Sequence, residues 1–259
     1  MLHRQFCKAF WKMDKINILK IGGDIVNEPA KLKQFLVRFS LTSGKKILVH
    51  GGGNIATKTC RKMGIETLMR EGRRITTGEA MDVMTMVYGG LINKNIVAQL
   101  QKLGCDALGL SGADGNSIEA TIRPKKPIDY GWVGDICCVN TELLRQLLNA
   151  RLSPVFCAIS HNGKGQLLNT NADSIASALA IALSGTYETA LEYAFDKPGV
   201  MRHLGQHDSF LDSINENEYR TYKAKGSIYG GMLPKLENSF HALRNGVHHV
   251  SIGKTRITQ

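Results

Sequence analysis

Two stretches decide the architecture: Ile16-Asn17-Ile18-Leu19-Lys20-Ile21-Gly22-Gly23 and Lys46-Ile47-Leu48-Val49-His50-Gly51-Gly52-Gly53. Each is a nearly continuous apolar run, the pattern of a strand buried on both faces, and each ends in glycines that lead toward helical sequence. Glycine has no Cβ, so such turns let backbone N–H groups approach an anion closely. The helix N-terminus behind them adds a partial positive charge. Two such turns predict a phosphate-handling site, and Lys20 would bring a full positive charge to the same place.

Outward from these runs, strand-like and helical segments alternate. Strands are predicted at 16–21, 46–50, 105–110, 154–159 and 189–195, with helices at 29–43, 54–63, 78–103, 141–149, 171–184 and 234–245. A short edge strand at 247–252 completes the set. This alternation predicts an α/β fold with a largely parallel sheet covered by helices on both faces. Residues 112–140 are polar and turn-rich, marked by Gly112-Ala113-Asp114-Gly115, Pro124 and Pro127, and predict hairpins near the mouth of the site. The Ser184-Gly185 break is the candidate lobe boundary.

With 259 residues, 43% of them hydrophobic and 21% charged, the chain can bury a substantial core. It has no apolar run of the roughly 20 residues that span a bilayer, and is read as cytoplasmic. Six cysteines (Cys7, Cys60, Cys105, Cys137, Cys138 and Cys157) lack C-x-x-C spacing and read as reduced, mostly buried residues, with no metal site. The net charge of +11 comes from dispersed Lys and Arg without a nucleic-acid-binding motif, so anionic small molecules are the expected partners. Met1 to Lys12 is basic, and Leu2, Phe6 and Phe10 have the spacing of an appended amphipathic helix.

Three further segments carry chemistry. In Asn169-Thr170-Asn171-Ala172-Asp173, Asn171 reads as a helix N-cap and Asp173 as a first-turn acid. Such an acid answers the helix dipole, or holds lysines in place where a phosphate site lies beside it. Gly230-Gly231-Met232-Leu233-Pro234-Lys235 again sets glycines before a helix, with Pro234 in the first turn and Lys235 projecting from it. Arg74, in Gly72-Arg73-Arg74, has the guanidinium that matches a carboxylate bidentately, although an exposed basic loop is the blander reading. Two motifs are discounted. Gly51-Gly52-Gly53-Asn54-Ile55-Ala56 fits G-x-G-x-x-A but lacks a strand-end acid about 20 residues on. Gly253-Lys254-Thr255 lacks the first P-loop glycine and has no room for a following helix.

Taken together, Lys20-x-Gly22-Gly23, His50-Gly51-Gly52-Gly53, Gly72-x-Arg74, Asn93-Lys94, Gly109-Leu110-Ser111-Gly112-x-Asp114-Gly115, Gly131-x-Val133-Gly134, Asn169-x-Asn171-Ala172-Asp173 and Gly231-Met232-x-x-Lys235 resemble the amino acid kinase family. Within it, they look like the kinases that act on N-acylglutamate. The resemblance spans Ile16 to about Val250. It implies an open three-layer αβα sandwich with a mainly parallel central sheet. It divides the chain into an extension (1–14), an acylglutamate-binding and dimerising lobe (15–184) and an ATP-binding lobe (185–259). It also implies ATP-dependent phosphorylation of the side-chain carboxylate of an N-acyl-L-glutamate, acetyl or succinyl, in the second step of arginine synthesis. The expected partners are ATP, Mg²⁺ and the acylglutamate, with no nucleic acid or membrane, and the expected assembly is a homodimer. Carried over residue by residue, Lys20 and Lys235 would stabilise the transferring phosphoryl group while Asp173 orients both. Gly52, Gly53, Arg74 and Asn169 would bind the acylglutamate. Gly22, Gly23, Asp196, Gly199, Ser227 and Tyr229 would contact the nucleotide. A glutamate or aspartate kinase, or a non-catalytic nucleotide-binding regulator, remains the alternative.

Overall fold

The computed structural model describes residues 13–70, 73–201, 210–228 and 230–259. The amphipathic reading of residues 1–12 and the expected nucleotide contact Tyr229 lie outside them. The first half of the chain runs β1 (Lys15–Ile21), α1 (Gly23–Val26), α2 (Pro29–Leu41), β2 (Lys45–His50), α3 (Gly53–Lys62), β3 (Met69–Arg70), β4 (Arg73–Arg74), α4 (Gly78–Met84), a π-helical segment (Thr85–Ile92), α5 (Asn93–Lys102) and β5 (Ala107–Leu110). Then come β6 (Ile118–Ile122), β7 (Gly134–Val139), α6 (Thr141–Asn149), β8 (Ser153–Phe156), β9 (Ile159–His161), β10 (Leu167–Asn169) and α7 (Ala172–Leu183). The last part is β11 (Glu188–Ala194), β12 (Ser213–Ile214), α8 (Glu216–Ala224), α9 (Met232–Arg244), β13 (His249–Ile252) and β14 (Thr255–Ile257).

An eight-stranded sheet in the order β12-β14-β13-β11-β1-β2-β8-β5 forms the centre, and all its pairings are parallel except β13 with β14. Residues of both parities in β1 (Ile16, Ile18, Leu19 and Ile21) are buried, so helices cover both faces there, as the continuous apolar run requires. Helix α7 packs on β1, β2 and β11 and pairs with α9, while α2 packs against α5. The expected three-layer αβα class holds. The sheet runs unbroken across Ser184-Gly185, because β11 pairs with β1 over its whole length.

Several elements differ from the sequence reading. The 247–252 strand is not an edge: β14 turns back antiparallel on it and β12 lies beyond. Gly253-Lys254-Thr255, the apparent P-loop fragment, belongs to that reversal, with Gly253 at φ 55°. The long 78–103 helix carries a π-helical middle around Gly89-Gly90, a register change that apolar spacing does not reveal. The 112–140 segment yields one hairpin, β6–β7, and its sheet is completed by β9 and β10 from farther along the chain. Helix α8 was not expected, yet Asn215 and Glu218 form a reciprocal capping box at its start. Of the described cysteines, Cys60, Cys105 and Cys157 are buried, Cys137 and Cys138 are exposed, and all are unbridged.

Candidate active site

Strands β1, β2 and β11 end side by side, and the chain leaves β1 toward β2 while β11 pairs on its other flank. Ligands of open α/β sheets bind at such a point, outside the carboxyl ends of the strands. Gly22-Gly23, Gly51-Gly52-Gly53 and Phe195-Asp196 follow these three strands directly.

Three charged side chains from distant parts of the chain converge there. Lys20 Nζ lies 2.7 Å from Asp173 Oδ1, and Lys235 Nζ donates to Asp173 Oδ2 at 3.1 Å. All three side chains are largely withdrawn from water. Burial pushes the Asp173 carboxyl up, but the facing Lys20 and Lys235 charges overcome it and hold Asp173 below its ordinary value. Burial lowers Lys20, Asp173 opposes that, and the nearby Lys235 adds to the lowering. Asp173 is held independently of its carboxylate. Its N–H donates to the Asn171 cap at 2.7 Å, and its carbonyl accepts from Tyr193 Oη at 3.2 Å.

Two cavities, each about 370 Å³, meet at this cluster. The first is lined by Gly22, Asp24, Phe195, Asp196, Ser227, Ile228 and Lys235, and the second by Gly51, Gly52, Gly53, Arg74, Tyr88, Asn169 and Asp173. Lys20 and Gly23 line both. In the second cavity Arg74 donates through Nη2 to Gly53 O at 3.1 Å and to Thr57 Oγ1 at 2.6 Å. Its Nη1 is buried with no partner among the described residues, leaving a fixed donor for an incoming acceptor. Asn169 is oriented by donating to Thr76 Oγ1 at 3.0 Å.

The structure thus gathers Lys20, Lys235, Asp173, Gly22, Gly23, Gly52, Gly53, Arg74, Asn169, Asp196 and Ser227 around the two cavities. Gly199 is not among the lining residues. It packs against Thr255 at β14, where a Cβ would collide with the Thr255 hydroxyl, so its smallness serves packing. Tyr88, Arg123 and Glu237 also line the second cavity, and no local pattern marked them. Arg123 is fixed by Asp135, and Glu237 accepts from Lys223 at 2.9 Å. Other glycines of the motif set answer close approaches. A Cβ on Gly109 would strike Asn93 Oδ1, one on Gly112 would come within 2.6 Å of Ile118 O, and one on Gly131, at φ 68°, would strike Thr76 O.

The amino acid kinase family model matches residues 15–254. The chain belongs to the amino acid kinase family. Among relatives, the acetylglutamate kinase of Bacteroides thetaiotaomicron is 50% identical over 239 residues, spanning 92% of this chain and 93% of that protein. The acetylglutamate kinase of Cytophaga hutchinsonii is 48% identical over 93% of this chain and 91% of its own length. Among solved structures, smu.665 from Streptococcus mutans superposes with a TM-score of 0.79 at 25% identity, over 94% of this chain and 98% of its own. Carbamate kinase from Giardia lamblia bound to AMP-PNP gives a TM-score of 0.65 over 96% of this chain and 99% of that one. At 13% identity it shows the amino acid kinase fold alone.

Proposed function

We propose that this chain catalyses ATP-dependent phosphorylation of the side-chain carboxylate of N-acetyl-L-glutamate, the second step of arginine biosynthesis. The observation that carries the reading is the meeting of two cavities at Lys20 and Gly23, with Asp173 holding two ammonium groups at the junction. Relatives near 50% identity over more than nine-tenths of both chains bear the name acetylglutamate kinase.

In this reading the cavity toward residues 185–259 takes ATP and the cavity toward residues 15–184 takes the acylglutamate. A γ-carboxylate oxygen attacks the terminal phosphorus. The new carboxyl O–P bond forms as the bond to the ADP oxygen breaks, and no covalent enzyme intermediate is needed. Lys20 and Lys235 meet the charge on the transferring group from fixed positions, which costs no reorganisation at the moment of reaction. Asp173 keeps both ammonium groups there, and amides of Gly22, Gly23 and Gly52 supply further donors. Arg74 Nη1, with Gly53 and Asn169 beside it, receives the substrate's α-carboxylate and acyl end. Asp196 and Ser227 contact the nucleotide.

Mg²⁺ belongs to the same proposal. The nucleotide cavity offers the carboxylates Asp24 and Asp196, and no group of three or more metal-ligating side chains occurs among the described residues. That donor set fits an ion held mainly by phosphates and water. When bound, it would neutralise charge on the phosphates. No helix among the described residues is long and apolar enough to cross a membrane, and the proposed reaction belongs in the cytoplasm. A homodimer is proposed as well, with Met86 and Leu91, about half-exposed on the π-helical segment, as its candidate face. Light scattering tests the assembly. The activity is tested by coupled ADP release with N-acetylglutamate, N-succinylglutamate, glutamate and aspartate. Turnover with N-acetylglutamate is expected, and its absence refutes the assignment.

A further inference from the structure

His50 ends β2 immediately before the glycine turn, and it is fully buried. Its Nδ1 lies 2.9 Å from Gly51 O and its Nε2 lies 3.1 Å from Asn93 Nδ2. Asn93, equally buried, fixes the direction of these bonds. Its Nδ2 also lies 2.9 Å from Val155 O, which only accepts, so that atom is the amide nitrogen. It donates one hydrogen to Val155 and the other to His50 Nε2. Nε2 is therefore the acceptor, and Nδ1 carries the hydrogen that it donates to Gly51 O. An imidazolium would set an N–H against the Asn93 N–H, and burial lowers the His50 pKa to about 4, so the ring is held neutral in a single tautomer. Lys94 closes the network, donating at 3.3 Å to Asn93 Oδ1 and at 3.3 Å to Gly109 O.

The Gly51–Gly52 peptide is trans, so its N–H points opposite to its C=O. With Gly51 O drawn to the buried imidazole, the Gly52 N–H is turned away from the core, on the side where Gly51, Gly52 and Gly53 line the acceptor cavity. That N–H donates to no protein acceptor among the described residues. Neither glycine has a side chain to bias the peptide, so the plane is set from outside it.

We propose that His50, held by Asn93, is a positioning residue that locks the Gly51–Gly52 peptide so that the Gly52 N–H faces the transferring phosphoryl group. This rests on the kinase reading above. A flipped peptide would present the Gly51 carbonyl to the developing negative charge and remove a donor from it. His50 itself touches no reacting atom.

The test compares His50→Leu, which removes both bonds, with His50→Asn, whose amide reaches the Nδ1 position. His50→Gln, which keeps a polar atom toward Asn93 but none beside Gly51, replaces His50→Leu if that variant does not fold. Wild-type turnover of N-acetylglutamate is measured first, and its absence overturns the kinase reading and this inference together. Given turnover, His50→Leu is expected to lower kcat about 100–1,000-fold, the range for losing one transition-state donor. Both KM values stay within about twofold, and His50→Asn recovers most of the loss. Binding of MgADP, aluminium fluoride and N-acetylglutamate as a transition-state mimic is expected to weaken by the same factor as kcat, with affinity for a non-hydrolysable ATP analogue unchanged. An unaltered kcat, a His50→Asn no better than His50→Leu, or equal weakening of ATP-analogue and mimic binding overturns the positioning role and leaves the kinase reading intact.

Discussion

Asp173→Asn is the sharpest perturbation of the charge cluster, because it keeps the shape while removing the charge and turning one of the two lysine-facing oxygens into an N–H donor. The amide has the same shape, the Asn171 cap binds the backbone N–H, and Tyr193 binds the backbone carbonyl, so both supports survive. At 2.7 and 3.1 Å, and an effective dielectric of about 20, each lysine–carboxylate attraction is roughly 5–6 kcal/mol. Desolvation of the three groups offsets much of that, and removing one member of a buried pair costs about 3–5 kcal/mol net. Lys20, already lowered by burial, would lose the interaction that most opposes the lowering and would shed its proton nearer to neutral pH. The sign follows from proton linkage. A lysine depressed in the folded state binds more protons when unfolded, between its folded value and about 10.4, so stability rises with pH through that window. The expected result is a destabilised variant whose thermal midpoint rises as pH is raised through that window, while its kcat, at least about 100-fold below wild type, falls further as Lys20 loses its charge. Thermal unfolding and coupled ADP release at matched pH values measure both. A variant within about 1 kcal/mol of wild type, or one whose kcat is independent of pH, refutes the account of Asp173 as the counter-charge.

Lys235→Ala is expected to lower kcat more than about tenfold with little change in either KM, since its contact strengthens toward the transition state; initial-rate kinetics check this. Arg74→Lys keeps the charge but loses the fork whose Nη2 is anchored on Gly53 and Thr57. The KM for the acylglutamate should rise about 10–100-fold with ATP affinity unchanged, as read by isothermal titration with each ligand. Gly109→Ala drives a methyl into Asn93 Oδ1 and should destabilise the fold by about 1–3 kcal/mol in denaturant unfolding.

What the sequence disclosed depended on how local the cause was. The two glycine turns were legible because apolar run, glycines and helix start are contiguous, and so was the Asn171 cap. Asp173 by itself read more readily as an acid answering a helix dipole; its two ammonium partners sit on β1 and at the start of α9, and no spacing rule reports them. The β6–β7 hairpin was visible as polar and turn-rich, but its pairing with β9 depends on residues farther along the chain. The reversal at Gly253 resembles the end of a P-loop because both need a flexible glycine, and the missing first glycine was enough to discount that reading. Helix α8 was the avoidable omission, since Asn215 and Glu218 carry its start signal in the sequence. For Gly199 the resemblance named a nucleotide contact, whereas its surroundings show a packing constraint against Thr255.

The Lys20–Asp173–Lys235 cluster also bears on how the molecule comes to be active. Its members arrive from the first strand, the middle of the chain and the last long helix, so no early or local folding event can assemble them. Contacts between such remote segments form only after loop-closure entropy has been met, which places them late in folding. Turnover regained after dilution from denaturant should therefore lag the return of helical signal. A fragment lacking α9 should show secondary structure and no kinase activity. The chemistry becomes a readout of completed topology, sensitive to the last contacts the chain makes.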